Sequence, residues 1–275
     1  MILAIANNKG GVGKTTTAIN LADALSKQHK KVLLVDVDGQ ASASMALGIV
    51  RDKLQPSLSN VILPEDDGLG HPSNIEAVVR KNIIDGVDII TADNRLYNFD
   101  IQYATMTDVD IHSVLRNALE PLRSQYDYIL LDCPPAFSLL TINALVAADR
   151  CIIPITPNYL AAEGFRNLME MLALIEKHLD EKCEIMGIFI NMIESRTRFH
   201  KEILAYLADI FGDKLFRASI GKSIRFQEAP NYGKTLLQYD PNLEGSKMYI
   251  ELAKEVIERS KTVMPRVQVG QEVRV

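Results

Sequence analysis

The stretch Lys9-Gly10-Gly11-Val12-Gly13-Lys14-Thr15-Thr16 constrains this chain more than any other. It follows directly on an apolar run at residues 3–7 and passes straight into an amphipathic pattern over residues 15–27. A strand that ends in a glycine turn and restarts as a helix gathers backbone N–H groups at one point, with the positive end of the helix dipole behind them. Glycine lets those groups turn inward. Such a loop cradles phosphate: Gly10, Gly11, Val12, Gly13 and Thr16 surround the anion, Lys14 reaches the β- and γ-phosphates, and the Thr15 hydroxyl ligates Mg²⁺.

The rest of the chain repeats the strand and helix rhythm. Apolar runs at 3–7, 32–36, 87–91, 128–132, 151–156 and 184–191 predict buried parallel strands. Helical patterns lie at 15–27, 112–122, 138–148, 161–178 and 201–211, with a last helix at 245–260. This alternation predicts a three-layer α/β/α P-loop NTPase fold around a mostly parallel central sheet, with ligands at the carboxyl ends of the strands. One domain is expected over 1–260. Residues 51–86, punctuated by Pro56, Pro64, Gly68, Gly70 and Pro72, predict a surface excursion with a short helix near 75–80. Residues 261–275, with Pro265 and no helical face, predict a loosely held tail.

Composition narrows the function classes. No stretch approaches the roughly 18 apolar residues of a membrane span, and no basic flank or cleavage site opens the chain, so a cytoplasmic protein without membrane attachment is expected. Cys133, Cys151 and Cys183 are odd in number and form no CxxC pair, which predicts buried thiols rather than a disulfide framework or a zinc site. The net charge of −5 conceals an asymmetry. Residues 195–275 carry 14 Lys+Arg against 10 Asp+Glu, a balance of +4 that leaves −9 for residues 1–194. A basic C-terminal surface is compatible with an acidic chain.

The glycine loop departs from the common GxxxxGK[ST] pattern, because Asn8 stands where its first glycine would be and Lys9 opens the loop. It resembles the deviant Walker A motif KGGxGK[ST]. The segment Val35-Asp36-Val37-Asp38-Gly39-Gln40 is similar to a DxDPQ segment, with Gly39 in place of the usual proline and Ala41 where glycine is common. Tyr126 to Pro135, which includes Asp132-Cys133-Pro134, looks like a Walker B strand and the switch that follows it. Glu228-Ala229-Pro230, Tyr232-Gly233-Lys234 and Tyr239-Asp240-Pro241 complete the match. Together these segments resemble the ParA/Soj partition ATPases over nearly the whole chain.

The resemblance implies an ATPase that pairs face to face when ATP is bound, with Lys9 touching the partner's phosphates. Asp132 would hold Mg²⁺ through water, Asp36 would support the metal shell, and Asp38 would orient the attacking water. Carboxylates at the ends of neighbouring parallel strands suit phosphoryl transfer, which needs charge neutralisation and positioning more than covalent help. Asn191 sits where P-loop relatives often contact the base, and ATP over GTP rests on the resemblance. The family also implies nonspecific double-stranded DNA, a ParB-like or cargo-adaptor partner that stimulates hydrolysis, and a nucleoid location. Arg196, Arg198, Lys222 and Arg225 are the candidate DNA contacts. A MinD-type membrane-associated ATPase would end in a basic amphipathic helix, which Pro265 and Gly270 deny this chain. A metabolic enzyme of the same superfamily would carry a substrate motif after Walker B, and none is evident.

Overall fold

In the computed structural model the described residues are 1–64, 74–104, 106, 107, 109–157, 161–194 and 198–262, the side chains of 161, 162 and 198–201 excepted. Eight strands form one sheet: β1 Ile2–Ile5, β2 Val32–Asp36, β3 Val79–Ile84, β4 Val87–Ile90, β5 Tyr128–Asp132, β6 Arg150–Ile155, β7 Glu184–Ile193 and β8 Leu215–Gly221. Their order is β3-β4-β2-β5-β1-β6-β7-β8. All neighbours run parallel except β3, which is antiparallel to β4 at the edge.

The central strands are apolar on both faces because helices cover both. Every residue of β1, β2 and β5 is buried. Alternate side chains go to opposite layers. Ile2, Ala4, Leu33 and Val35 pack with Leu115, Leu119, Leu145 and Leu168 from the helices on one side. Leu3, Ile5, Val32 and Leu34 pack with Leu21, Leu25, Tyr249 and Leu252 on the other, where the helices Lys14–Ser26 and Glu244–Ser260 lie together. This is the three-layer α/β/α arrangement with helices on both faces. The three cysteines are free and buried, as expected.

Two strands escape the sequence reading. At β3, a 3-10 turn Ile75–Val78, opened by Asn74 accepting from the Glu76 N–H at 2.9 Å, takes the place of the expected short helix. The chain then becomes an edge strand whose Lys81 is exposed, a common protection against edge-to-edge pairing, while Arg80 folds back to donate to the Gln55 carbonyl at 2.9 Å. At β8, buried positions alternate with exposed ones, because Glu244–Ser260 packs against it. The expected excursion at 51–86 also reaches inward. Leu54, Leu58, Ile62, Ile75 and Val78 join the core, so this connection is anchored by apolar side chains. Of the expected tail, residues 263–275 lie outside the described residues.

Candidate functional site

The glycine loop lies at the carboxyl end of β1, between β5 and β6. Its entry is fixed by Asn7, which is buried, donates to the Pro154 carbonyl at 2.8 Å and accepts from the Lys9 N–H at 3.0 Å. Gly11 and Gly13 adopt φ of 74° and 88°, the left-handed region where a Cβ is unfavourable. Gly13 caps the helix Lys14–Ser26 and offers no side chain, so the N–H groups of the first turn face the loop. The Asn191 amide donates to the Val12 carbonyl at 3.2 Å and leaves no room for a Cβ at Gly13. Asn191 thus braces the loop from β7.

Lys14 is almost fully buried and donates to the Lys9 carbonyl at 3.0 Å. Burial pushes its ammonium down from the usual lysine range, and the Asp132 charge opposes this. Asp36 and Asp132 are partners in register on adjacent parallel strands, and both are fully buried. Asp36 is well satisfied: its Oδ2 accepts from the Ser44 N–H at 2.9 Å and the Ser44 hydroxyl at 2.7 Å, and its Oδ1 from the Asp38 N–H at 3.3 Å. Burial nevertheless pushes its carboxyl up to about 6. Asp132 is also pushed well up, by burial first and then by Asp36, with Thr15 and Lys14 opposing. Neither of its carboxylate oxygens completes a hydrogen bond.

A buried carboxylate with both oxygens orphaned is costly unless a cation sits against it. Beside it lie Thr15, Lys14 and a cavity of about 350 Å³ lined also by Gly10, Gly11, Gly13 and Asp38. Hard oxygen donors from a hydroxyl and carboxylates suit Mg²⁺, and the loop donors suit the phosphates it would bridge. The residues present therefore fit a magnesium–nucleoside triphosphate. A larger groove of about 460 Å³ lies elsewhere, lined mainly by apolar side chains such as Phe137, Leu174 and Ile175 with His112, Asn167 and His178 among them, and it has no glycine loop or lysine comparable to Lys14. Chemistry rather than volume picks out the glycine loop.

Comparison with known proteins agrees with this geometry. A family model described as an AAA domain matches residues 1–185. The chain is 36% identical over 255 residues to the sporulation initiation inhibitor protein Soj of Bacillus subtilis, covering 93% of this chain and 97% of that one. It is 38% identical over 262 residues to the chromosome partitioning protein ParA of Caulobacter vibrioides, covering 94% and 95%. The chain belongs to the ParA/Soj family of partition ATPases. Among solved structures, a cobyrinic acid a,c-diamide synthase from Mycobacterium smegmatis, with bound ATP analog and magnesium, superposes with a TM-score of 0.78 at 26% identity, over 95% of this chain and 96% of that one.

Within the ParA/Soj frame the two departures have local explanations. Ala41 takes φ 55°, ψ 36° before the helix Ser42–Ala46, the left-handed conformation that suits the glycine common there. Gly39 is covered by the Tyr97 ring, which leaves no space for a side chain. Asp38 stands at the mouth of the cavity, its Oδ1 accepting from the Gln40 N–H at 2.9 Å.

The two basic candidates among the described residues are both paired. Lys222 meets Glu194 at 2.6 Å, and Arg225 meets Glu228 at 2.7 Å while lying over the Tyr239 ring. Arg196 and the side chain of Arg198 lie outside the described residues. Sequence reasoning missed Asn7, Ser44 and Tyr97. Each acts through a partner distant in sequence, and only Asn7, at the end of a strand next to the loop, carried a positional hint.

Proposed function

We propose that this chain binds ATP with Mg²⁺ at the glycine loop, pairs with a second copy in that state, and so acquires affinity for nonspecific double-stranded DNA over the nucleoid. The observation that carries the reading is the orphaned Asp132 carboxylate beside Lys14 and Thr15, in a chain of the partition ATPase family. Lys14 holds the β- and γ-phosphates, while Thr15 and Asp132 hold the metal, with Asp36 behind them. Mg²⁺ supplies charge neutralisation across the transferring phosphates. Asp38 orients the attacking water, and Lys9 reaches across to the partner's phosphates. Asn191 can turn to the base only by releasing the Val12 carbonyl, so its first task is to brace the loop.

Pairing matters because it joins two weak basic surfaces. Avidity raises binding by roughly 10²–10⁴ when both engage at once. A ParB-like or cargo-adaptor protein then stimulates hydrolysis and releases the DNA. Among the described residues no helix is long and apolar enough to cross a membrane. The reading favours partition over small-molecule synthesis because the relative at 38% identity carries a chromosome partitioning name, whereas the synthase matches at 26%.

A gel-shift titration with unrelated duplexes at several salt concentrations, with and without ATP, tests the DNA step. Phosphate contacts carry no sequence information, so affinity should be alike for all duplexes and fall steeply with salt. Arg225→Glu should abolish the shift with ATP affinity retained. Removing one phosphate contact should reduce the log–log salt slope by roughly 0.9, and by about twice that in a symmetric dimer. Wild-type protein that fails to bind at low salt with ATP, or Arg225→Glu that binds equally well, would contradict the reading.

A further inference from the structure

Gly39 and Tyr97 stand in a relation that nucleotide binding leaves unexplained. A Cβ on Gly39 would lie 2.9–3.1 Å from three carbons of the Tyr97 ring, so the ring would have to shift to admit one. While the ring stays, position 39 has room for a hydrogen and nothing larger. Yet Tyr97 is 52% exposed, so burial in the core is not what holds it there.

The ring stands on a rigid base. Tyr97 belongs to the 3-10 turn Asn94–Asn98, in which Leu96 is buried in the core, as is Phe99 just after it. The turn is capped by Asp93, which accepts from the Arg95 N–H at 2.9 Å. Asp93 is itself buried and accepts from the Ser57 hydroxyl at 2.8 Å, the Ser59 hydroxyl at 2.7 Å and the Arg95 guanidinium at 2.8 Å. A satisfied buried network of this kind fixes its surroundings.

The loop beneath the ring is held by short-range bonds. Asp38 N–H donates to Asp36, Gln40 N–H to the Asp38 carboxylate at 2.9 Å, and Ala41 N–H to the Asp38 carbonyl at 2.7 Å. Tyr97 brings a contact from a separate element. The two are close enough to interact electrostatically: partial burial and the Asp38 charge push the phenol up, with Arg51 and Gln40 opposing.

We propose that Tyr97 is a positioning residue for ATP hydrolysis: its ring, seated on Gly39, fixes the loop that carries Asp38. The glycine at 39 is the complement of the ring. The inference rests on the reading that Asp38 orients the attacking water. Tyr97 moves no proton and touches no phosphate in this account. Its loss therefore leaves nucleotide affinity, which depends on Lys14 and Thr15, in place while the water loses its alignment.

The test is steady-state ATP hydrolysis by Tyr97→Ala, Tyr97→Phe, Gly39→Ala and the double variant Gly39→Ala/Tyr97→Ala, with Asp38→Ala alongside. Small misplacements of a reacting group are expensive, so Tyr97→Ala and Gly39→Ala should each lower kcat about tenfold, with KM changed by less than about twofold. Tyr97→Phe should recover most of the turnover, because it keeps the ring over Gly39 and gives up only the hydroxyl's bond with Gln40. The double variant should be no slower than the slower single one, since both substitutions break one contact. Wild-type kcat in Tyr97→Ala, a loss confined to KM, or a double loss equal to the product of the single losses would overturn the proposal. If Tyr97→Ala fails to fold, Tyr97→Phe and Gly39→Ala decide the matter by the same criteria. Wild-type turnover in Asp38→Ala removes the Asp38 assignment and Tyr97 with it. An inactive Asp38→Ala beside a wild-type Tyr97→Ala removes Tyr97 alone.

Discussion

Asp36 and Asp132 face each other from adjacent strands in a site with little water to screen them. Both are held above the ordinary value of 3.8, Asp36 near 6 and Asp132 raised in the same direction by burial and by Asp36. The folded chain therefore keeps protons that the unfolded chain has already released. By linkage, the contribution Asp36 makes is fully present below about pH 3.8 and is lost as pH rises through about 6, and Asp132 acts in the same direction. Removing one charge should relieve the strain. Asp132→Asn is expected to make the magnesium-free protein more stable at pH 8 by at least about 1 kcal/mol, and the advantage should shrink toward pH 5. Thermal melts of both proteins across that range are the check, and an unchanged or lower midpoint at pH 8 would contradict it. The same variant should lose hydrolysis, so stability and function diverge at this residue.

Between elements, the helix Ser42–Ala46 links the nucleotide site to the segment that carries Arg225. Asp36 holds one end through Ser44, and at the other end Gly48, φ 81°, meets Gly233, φ 63°, backbone to backbone. A Cβ on Gly233 would fall 2.9 Å from the Gly48 Cα and 3.2 Å from its nitrogen. Backbone cannot yield as a side-chain tip can. Gly233→Ala should thus destabilise the fold by about 2 kcal/mol, from steric overlap and a left-handed conformation together. Urea unfolding measures this, and a wild-type midpoint would show that the two turns part freely. Asn20 and Asp23 of the helix Lys14–Ser26 also bind the same segment, at the Leu236 N–H and the Thr235 hydroxyl. These ties explain what the sequence left unread. The strands at 32–36 and 128–132 were legible because burial on both faces writes a continuous apolar run. β3 and β8 were not, since the charged Arg80, Lys81 and Arg217 interrupt their apolar runs. The loop residues 9–16 were legible because their chemistry is local, whereas Ser44, Asn7 and Tyr97 matter only through distant partners.

At the scale of the whole molecule, the sheet brings Lys14, Asp36, Asp38 and Asp132 to the carboxyl ends of its strands, as the alternation of elements predicts. The basic residues of the C-terminal part behave differently. Among the described residues Lys222, Arg225 and Arg217 each pair with glutamate. In the proposed function, ATP-dependent pairing is what makes such a surface effective. That pairing is the central claim, and it is tested most directly by sedimentation velocity of the wild type, Asp38→Ala and Lys9→Ala with ATP and Mg²⁺. Asp38→Ala is expected to accumulate as a dimer because the phosphate contacts persist without turnover, while Lys9→Ala binds ATP and stays largely monomeric. If Asp38→Ala remains monomeric at saturating ATP, or Lys9→Ala pairs as well as Asp38→Ala, the account is contradicted.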